Sequence, residues 1–268
     1  TTRGHAILAR LSADYLYYGT FGSQAAVLGE TAWRHREDDL EMATTALSVR
    51  NGWDVGTRLS LSALADTVSV DSRGAIGETK ADGYGVRLAL ETATPQWRFG
   101  LAGSYRRSEV DAVTLKGDVD SYALDAYGGW RNEAMFVNLA VGGAQNNYRD
   151  INRLTALAPV VHTSSTDGTS VGARLQGGLW MGEGAWSLSP RGAISWVASD
   201  VNGFNELGAA ADYAYQDRRL EAITGELSLR AEYAAERFSF YAEGGWRDNI
   251  SEDTEATRTG LVGNTAKI

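Results

Sequence analysis

The feature that most constrains this chain is a change of hydrophobic period. From Trp53 onward apolar and polar residues alternate at every second position, in nine separate segments. A two-residue period marks a β-strand with one apolar and one polar face. The first segment sets Trp53, Val55, Thr57, Leu59, Leu61 and Ala63 against Asp54, Gly56, Arg58, Ser60 and Ser62. The next sets Tyr84, Val86, Leu88 and Leu90 against Gly85, Arg87, Ala89 and Glu91. After Thr94-Pro95 the chain returns with Trp97, Phe99, Leu101, Gly103 and Tyr105 over Arg98, Gly100, Ala102, Ser104 and Arg106. The design recurs over Tyr122 to Val141, Val171 to Trp196 and Ile223 to Arg247. These segments predict an all-β, antiparallel up-and-down meander.

Loop length adds a second signal, because short and long connections alternate. Residues 92–96, 131–134, 182–185 and 234–237 read as short turns, and 68–82, 108–120, 149–169, 201–220 and the stretch beyond Asp248 as long polar loops. Short periplasmic turns and long extracellular loops are the habit of outer-membrane β-barrels. Trp53, Trp97, Trp130, Trp186, Tyr233 and Phe238 all fall at the short-turn end, where an interfacial aromatic girdle belongs. The pattern predicts a transmembrane barrel with apolar residues toward lipid and polar residues toward a wet lumen. A soluble β-sandwich accounts poorly for arginines and glutamates on the second face or for long loops on one side only.

Composition is compatible with this. A mean hydropathy of -0.28 resembles that of a soluble protein, but a barrel strand shows the bilayer only every second side chain. No apolar run approaches the ~18 residues of a transmembrane helix. The chain has no Cys, which suits passage through an oxidising periplasm and equally suits a cytosolic protein. A net charge of -9 argues against a nucleic-acid partner. Thr1 to His5 is not a secretory signal, so a signal is expected upstream.

The first 50 residues are helical in pattern. Ile7, Leu8, Leu11, Tyr15 and Tyr18 predict a helix ending near Gly19, and a second runs from about Ser23, a plausible cap, to Arg50. The second carries Arg34, His35, Arg36, Glu37, Asp38, Asp39 and Glu41 and is too polar around its girth for an ordinary core helix. If the first strand starts in the periplasm, a segment leading from an outside domain must descend through the lumen. Arg34, Asp38 and Asp39 on the helix, and Arg58, Arg87, Arg98, Asp125, Arg174, Arg191, Glu226, Arg230 and Glu243 on the strands, are therefore the candidate plug-contact and lumen-lining residues.

Other chemistry is thin. His5, His35 and His162 fall in separate elements without ligand spacing, so no metal is expected, and no cofactor or catalytic residue is assigned. Asp248, Glu252, Asp253 and Glu255 could hold Ca²⁺, though hydrated surface charge is the plainer reading. A protease or phospholipase barrel would need a rim histidine beside a nucleophile, and only His162, with Thr163, Ser164 and Ser165 in a predicted long loop, offers one.

The opening Thr1-Thr2-Arg3-Gly4-His5-Ala6-Ile7-Leu8-Ala9 resembles the stretch that follows the catalytic histidine of GDSL-type esterases and lipases, D-x-x-H-P-T-x-x-G-H. Together with Asp120-Ser121-Tyr122, Thr166-Asp167-Gly168 and Asp200-Val201-Asn202-Gly203-Phe204, the helix and barrel look like the translocator domain of autotransporter esterases. The resemblance implies type V secretion at the Gram-negative outer membrane, with the passenger outside and the linking helix left in the pore. It also implies that the passenger's Ser, Asp and His lie before Thr1, and that His5 matches a second, non-catalytic histidine. Family barrels have twelve strands and end in an aromatic residue, so about three strands are expected beyond these nine.

The expected organisation is the end of a passenger domain over 1–22, a lumen helix over 23–50 and a barrel over 51–268. The expected partners are outer-membrane lipid, lipopolysaccharide, the barrel-assembly machinery, periplasmic chaperones and the chain's own passenger, for a monomer. A small porin-like channel is the alternative function.

Overall fold

A computed structural model describes residues 24–48, 55–72, 78–154, 161–182, 185–207, 212–234, 239–254 and 259–261. The helix expected over the first residues, Trp53 and Phe238 lie outside them; the second helix is capped at Ala25, without a side-chain hydrogen bond, and not at Ser23.

The nine alternating segments form one antiparallel sheet that curls around a helix. The helix is α1 (Ala26–Leu47). The wall strands are β1 (Gly56–Val70), β2 (Thr79–Ala93), β3 (Trp97–Ala112), β4 (Leu115–Arg131), β5 (Met135–Leu154), β6 (Val161–Leu179), β7 (Trp186–Val201), β10 (Arg218–Ala234) and β11 (Ser239–Thr254). Each pairs with its sequence neighbour in the order β1-β2-β3-β4-β5-β6-β7-β10-β11. Three short strands, β8 (Phe204–Asn205), β9 (Tyr213–Tyr215) and β12 (Thr259–Leu261), make a separate small sheet in the order β12-β9-β8.

The strand faces follow the sequence. Leu59, Leu61, Leu88, Leu90, Phe99, Leu101, Leu124, Val137 and Leu139 are exposed on the outer wall. The girdle residues meet across neighbouring strands, with Trp97 and Trp130 ring centroids 6.5 Å apart and those of Trp186 and Tyr233 4.9 Å apart.

The long polar loops are largely a misreading. The stretch 108–120 is almost all strand, joined by the two residues Val113 and Thr114, with Glu109 opposite Asp118 and Asp111 opposite Lys116. Alternation continues there but its polarity inverts. Lower on β3, Arg98 and Arg106 point inward and Trp97 and Leu101 outward; at the top, Val110 and Ala112 are buried inside while Glu109 and Asp111 are exposed. Strands of 15 to 20 residues exceed the 9–11 needed to cross a bilayer, so their upper ends stand in water, where the dry side is the one packed on the helix.

Helix α1 has 22 residues, about 33 Å at 1.5 Å per residue, close to the ~30 Å of a hydrocarbon core. Its first half, Val27, Leu28 and Ala32, packs on Val110, Leu115, Val119 and Ile151 at the end away from the short turns. Its second half, Leu40, Ala43 and Leu47, packs on Ala89, Ala102, Tyr127 and Ala140. The helix therefore descends toward the short-turn, periplasmic end, where β1 begins. Gly172 of β6 lets the wall come this close: a Cβ there would sit 2.8 Å from Leu40 Cδ1 and 2.9 Å from the Trp196 carbonyl.

The inverted outer face makes a measurable difference. Leu101→Arg, within the apolar band, should lower stability by about 2–4 kcal/mol, whereas Glu109→Lys above it should cost less than about 1 kcal/mol. Urea unfolding of the barrel in lipid vesicles reads both.

Candidate functional site: the plugged lumen

A helix carrying seven ionisable residues between positions 34 and 41 can sit inside a wall only if that wall answers its charges. Arg36 and Asp125 of β4, each about 1 % exposed, form an ion pair near mid-lumen. Arg106 of β3 reaches Asp38 at 3.1 Å and Asp39 at 3.4 Å, and Ser104 donates to Asp39 at 3.2 Å. Ser195 of β7 donates to Glu37 at 3.3 Å, while Arg247 of β11 pairs with Glu41. Buried charges persist only when paired or hydrogen-bonded, so each contact also sets the depth and rotation of the helix.

His35 is held at both ring nitrogens. Its Nδ1 lies 3.0 Å from Ser121 Oγ and its Nε2 2.8 Å from Ser108 Oγ. Ser121 in turn donates to Asn146 Oδ1 at 2.8 Å, so it accepts from His35 Nδ1–H, and Ser108 donates to Nε2. That arrangement uses a neutral ring.

The lower end of α1 shows the wall completing what the helix lacks. The last turn has no basic residue of its own, yet its final carbonyls need partners and its dipole favours cations. Asn138 donates to the Thr44 carbonyl at 3.1 Å, Arg98 to that of Ala46 at 3.5 Å and Arg191 to that of Ser48 at 3.1 Å. Arg174 donates to Thr44 Oγ1 at 3.2 Å and to Glu226 at 2.8 Å.

The remaining candidates lie along the same wall. Arg87 sits 5.4 Å from the Tyr127 ring, and Glu91 accepts from Tyr127 at 3.0 Å and from Arg58 of the edge strand at 3.2 Å. Arg230 stacks 3.6 Å over Tyr241 and lies 3.9 Å from Glu243. Arg34 is exposed, beside a cleft that Thr31, His35 and Asp66 also line.

A second polar cluster, at the extracellular mouth, is absent from the sequence reading. His162, expected in a long loop, is a buried residue of β6, with Nδ1 2.5 Å from Asp212 Oδ1. Beside it Glu206 accepts four hydrogen bonds: two from Arg153, at 2.7 Å each, one from the Tyr213 amide at 2.9 Å and one from the Tyr215 hydroxyl at 3.1 Å. Burial, then the Glu206 charge, push the Tyr215 phenol above its usual range and keep it a donor. Potential ligand atoms of His162, Glu206 and Asp212 lie within 4.8 Å of one another. With both Glu206 oxygens saturated, however, a metal ion would have to displace Arg153, and the donor set fits an ion-pair lock better. Among the described residues no Ser or Thr hydroxyl bonds the His162 ring. This cluster escaped the sequence because the strands that carry it, Phe204–Asn205 and Tyr213–Tyr215, have two and three residues, too few to show a period.

Removing one partner of a buried pair strands the other, so Arg36→Met should destabilise the docked helix by about 3–5 kcal/mol. Arg36→Met with Asp125→Leu should recover most of that loss. Hydrogen exchange of the α1 amides measures both.

Comparison with known proteins agrees with this architecture. A family model described as "Autotransporter beta-domain" matches residues 59–267. The chain is 23% identical over 214 residues to Esterase EstA of Pseudomonas aeruginosa, covering 72% of this chain and 32% of that protein. It is 27% identical over 207 residues to an uncharacterized protein from the trpE-trpG intergenic region of Pseudomonas putida, covering 67% of this chain and 34% of that protein. It thus spans about a third of the length of the curated relatives it matches. Its fold resembles the translocator domain of the autotransporter NalP from Neisseria meningitidis, with a TM-score of 0.75 at 14% identity over 91% of this chain and 88% of that one. The chain belongs to the autotransporter β-domain family, whose members are outer-membrane barrels that display a passenger at the cell surface.

Proposed function

We propose that this barrel exports and then anchors a carboxylic-ester hydrolase, and that α1 is the end of the exported chain, retained in the lumen as a plug. The observation that carries the reading is the direction of α1: its first turn lies at the mouth and its last beside the periplasmic turns. Whatever precedes residue 24 is thereby led toward the outside. The name of the Pseudomonas aeruginosa relative, Esterase EstA, and the opening Thr1-Thr2-Arg3-Gly4-His5 support an esterase passenger whose catalytic residues precede Thr1. In this reading residues 1–22 end the passenger, 23–50 link it through the lumen, and the barrel begins near 51.

The candidate lumen residues, from Arg58 to Glu243 on the wall and Arg34, Asp38 and Asp39 on the helix, act by holding the plug. They carry no chemistry of their own, so neither cofactor nor catalytic metal enters the mechanism. Insertion would use the barrel-assembly machinery and periplasmic chaperones, and the outer wall would meet lipid and the phosphorylated headgroups of lipopolysaccharide.

The porin-like alternative requires an open path, which separates the two by conductance. In planar bilayers the intact protein should conduct poorly, and deletion of residues 26–47 should raise conductance several-fold. High conductance in the intact protein would defeat the plug. Ester hydrolysis on intact cells expressing the full-length protein, absent from cells expressing only the barrel, tests the passenger.

A further inference from the structure

The apolar band on the outer wall ends differently at its two ends. On the short-turn side it ends on the girdle rings Trp97, Trp130, Trp186 and Tyr233. On the other side a second set of rings gives way to fixed charge. We propose that Arg107 and Arg149, above Tyr105 and Tyr122, form a headgroup site for a phosphorylated glycolipid of the extracellular leaflet. The proposal rests on the reading above that the outer wall meets such lipid, and gives that contact a place.

Height is the first observation. Arg107 follows Trp97 by ten residues on β3, and Asp120 precedes Trp130 by ten on β4. At ~3.3 Å per residue and a strand tilt of about 40°, that is about 25 Å of height, the depth of the apolar band of an outer-membrane barrel. Tyrosine rings belong at such a boundary. Tyr84 and Tyr122 are exposed there, and the ring centroids of Tyr105 and Tyr122 lie 5.0 Å apart. Across the wall, ten residues above Trp186, Trp196 donates its indole N–H to Glu221 at 2.7 Å.

The second observation is how the arginines are held. Asp120 lies on the lipid-facing side of β4, in line with Tyr122 and Leu124, yet is 1% exposed. Tyr105 donates to one of its oxygens at 2.8 Å, and Arg149 of β5 covers the other. Arg107 of β3 pairs with Asp118. Two carboxylates of β4 thus brace one guanidinium from each neighbouring strand. Each guanidinium carries five N–H donors and a carboxylate takes two in the usual fork. Donors are left over for a phosphate, which arginine binds in the same bidentate manner.

Third, Asp82, Glu109 and Asp118 stand directly opposite one another across β2, β3 and β4 on that same face. Like charges so placed repel. Lys80 and Arg107 answer Asp82 and Asp118, and a divalent cation accompanying the lipid phosphates would answer the rest through oxygen ligands. A glycolipid that brings both phosphates and their cations matches the arginines and the carboxylates together.

The test compares stability increments of the full-length protein in phosphatidylcholine vesicles with Mg²⁺. Added bisphosphorylated lipid A should raise, by several degrees, the temperature at which folded gel mobility is lost, relative to the same lipid A stripped of phosphate. Arg107→Gln with Arg149→Gln should abolish that increment, and Arg107→Lys with Arg149→Lys, which keeps the charge and loses the fork, should reduce it. Arg219→Gln, which removes an outward cation from β10, should leave it unchanged. Each variant is measured against itself in two lipids, so any general loss from uncovering Asp120 cancels. An undiminished increment in either double variant would overturn the site. An equal increment from phosphatidylglycerol would overturn the glycolipid as its occupant. No increment in the unaltered protein would count against the lipopolysaccharide reading itself, so the two fail separately.

Discussion

Backbone hydrogen bonding inside hydrocarbon governs the rest of this molecule. With no water available, every strand must bond to a neighbour along its length, and the wall from β1 to β11 does so in antiparallel register that shifts only at Lys116/Asp118, Tyr148/Ile151 and Ile223/Thr224 among the described residues. A wall of that kind has one side facing lipid, which removes polar residues from it and gathers them on the other. Arg87, Arg98, Asp125, Arg174 and Arg191 are inside because the outside cannot hold them.

That polar interior sets the terms for what can fill it. An apolar helix would leave wall charges buried without partners, at a cost of several kcal/mol each. The helix present pairs Arg36 with Asp125, gives Asp38 and Asp39 to Arg106, and presents its unsatisfied last carbonyls to Asn138, Arg98 and Arg191. Isolated surface pairs contribute little, but the Arg36–Asp125 and Arg106–Asp39 pairs are removed from water, and the contacts are distributed along the length of the helix. They fix one depth and one rotation of α1 against the wall. The mouth repeats the device on a smaller scale around Glu206.

The wall also shows how solvent, rather than secondary structure, assigns the meaning of a pattern. Within the bilayer an inward residue is wet or plugged and an outward one is dry. Above it the outward residue is wet, and the inward one, packed on Val27 and Leu28, is dry. The same two-residue period therefore reads as transmembrane strand below and, to a template expecting apolar residues outside, as polar loop above. Glu109, Asp111, Lys116 and Asp118 were legible as hydrophilic but not as strand, because their apolar partners Val110, Leu115 and Val119 signal nothing until the helix is in place.

The sequence by itself determined the nine-strand meander, the lipid-facing residues, the position of the aromatic girdle and the presence of a polar helix before the first strand. Those properties are periodic and local, and each strand declares its own faces. Which charge meets which was settled only by tertiary structure, since Arg36 and Asp125 lie 89 positions apart and nothing local to either names the other. The same holds for His35 between Ser108 and Ser121 and for Glu206 at the mouth. Their partners come from different elements, and the short strands 204–205 and 213–215 have too few residues to show a period. A hydrophobic pattern records what each residue faces; the pairing of buried charges depends on where the curl of the sheet brings distant strands against one helix.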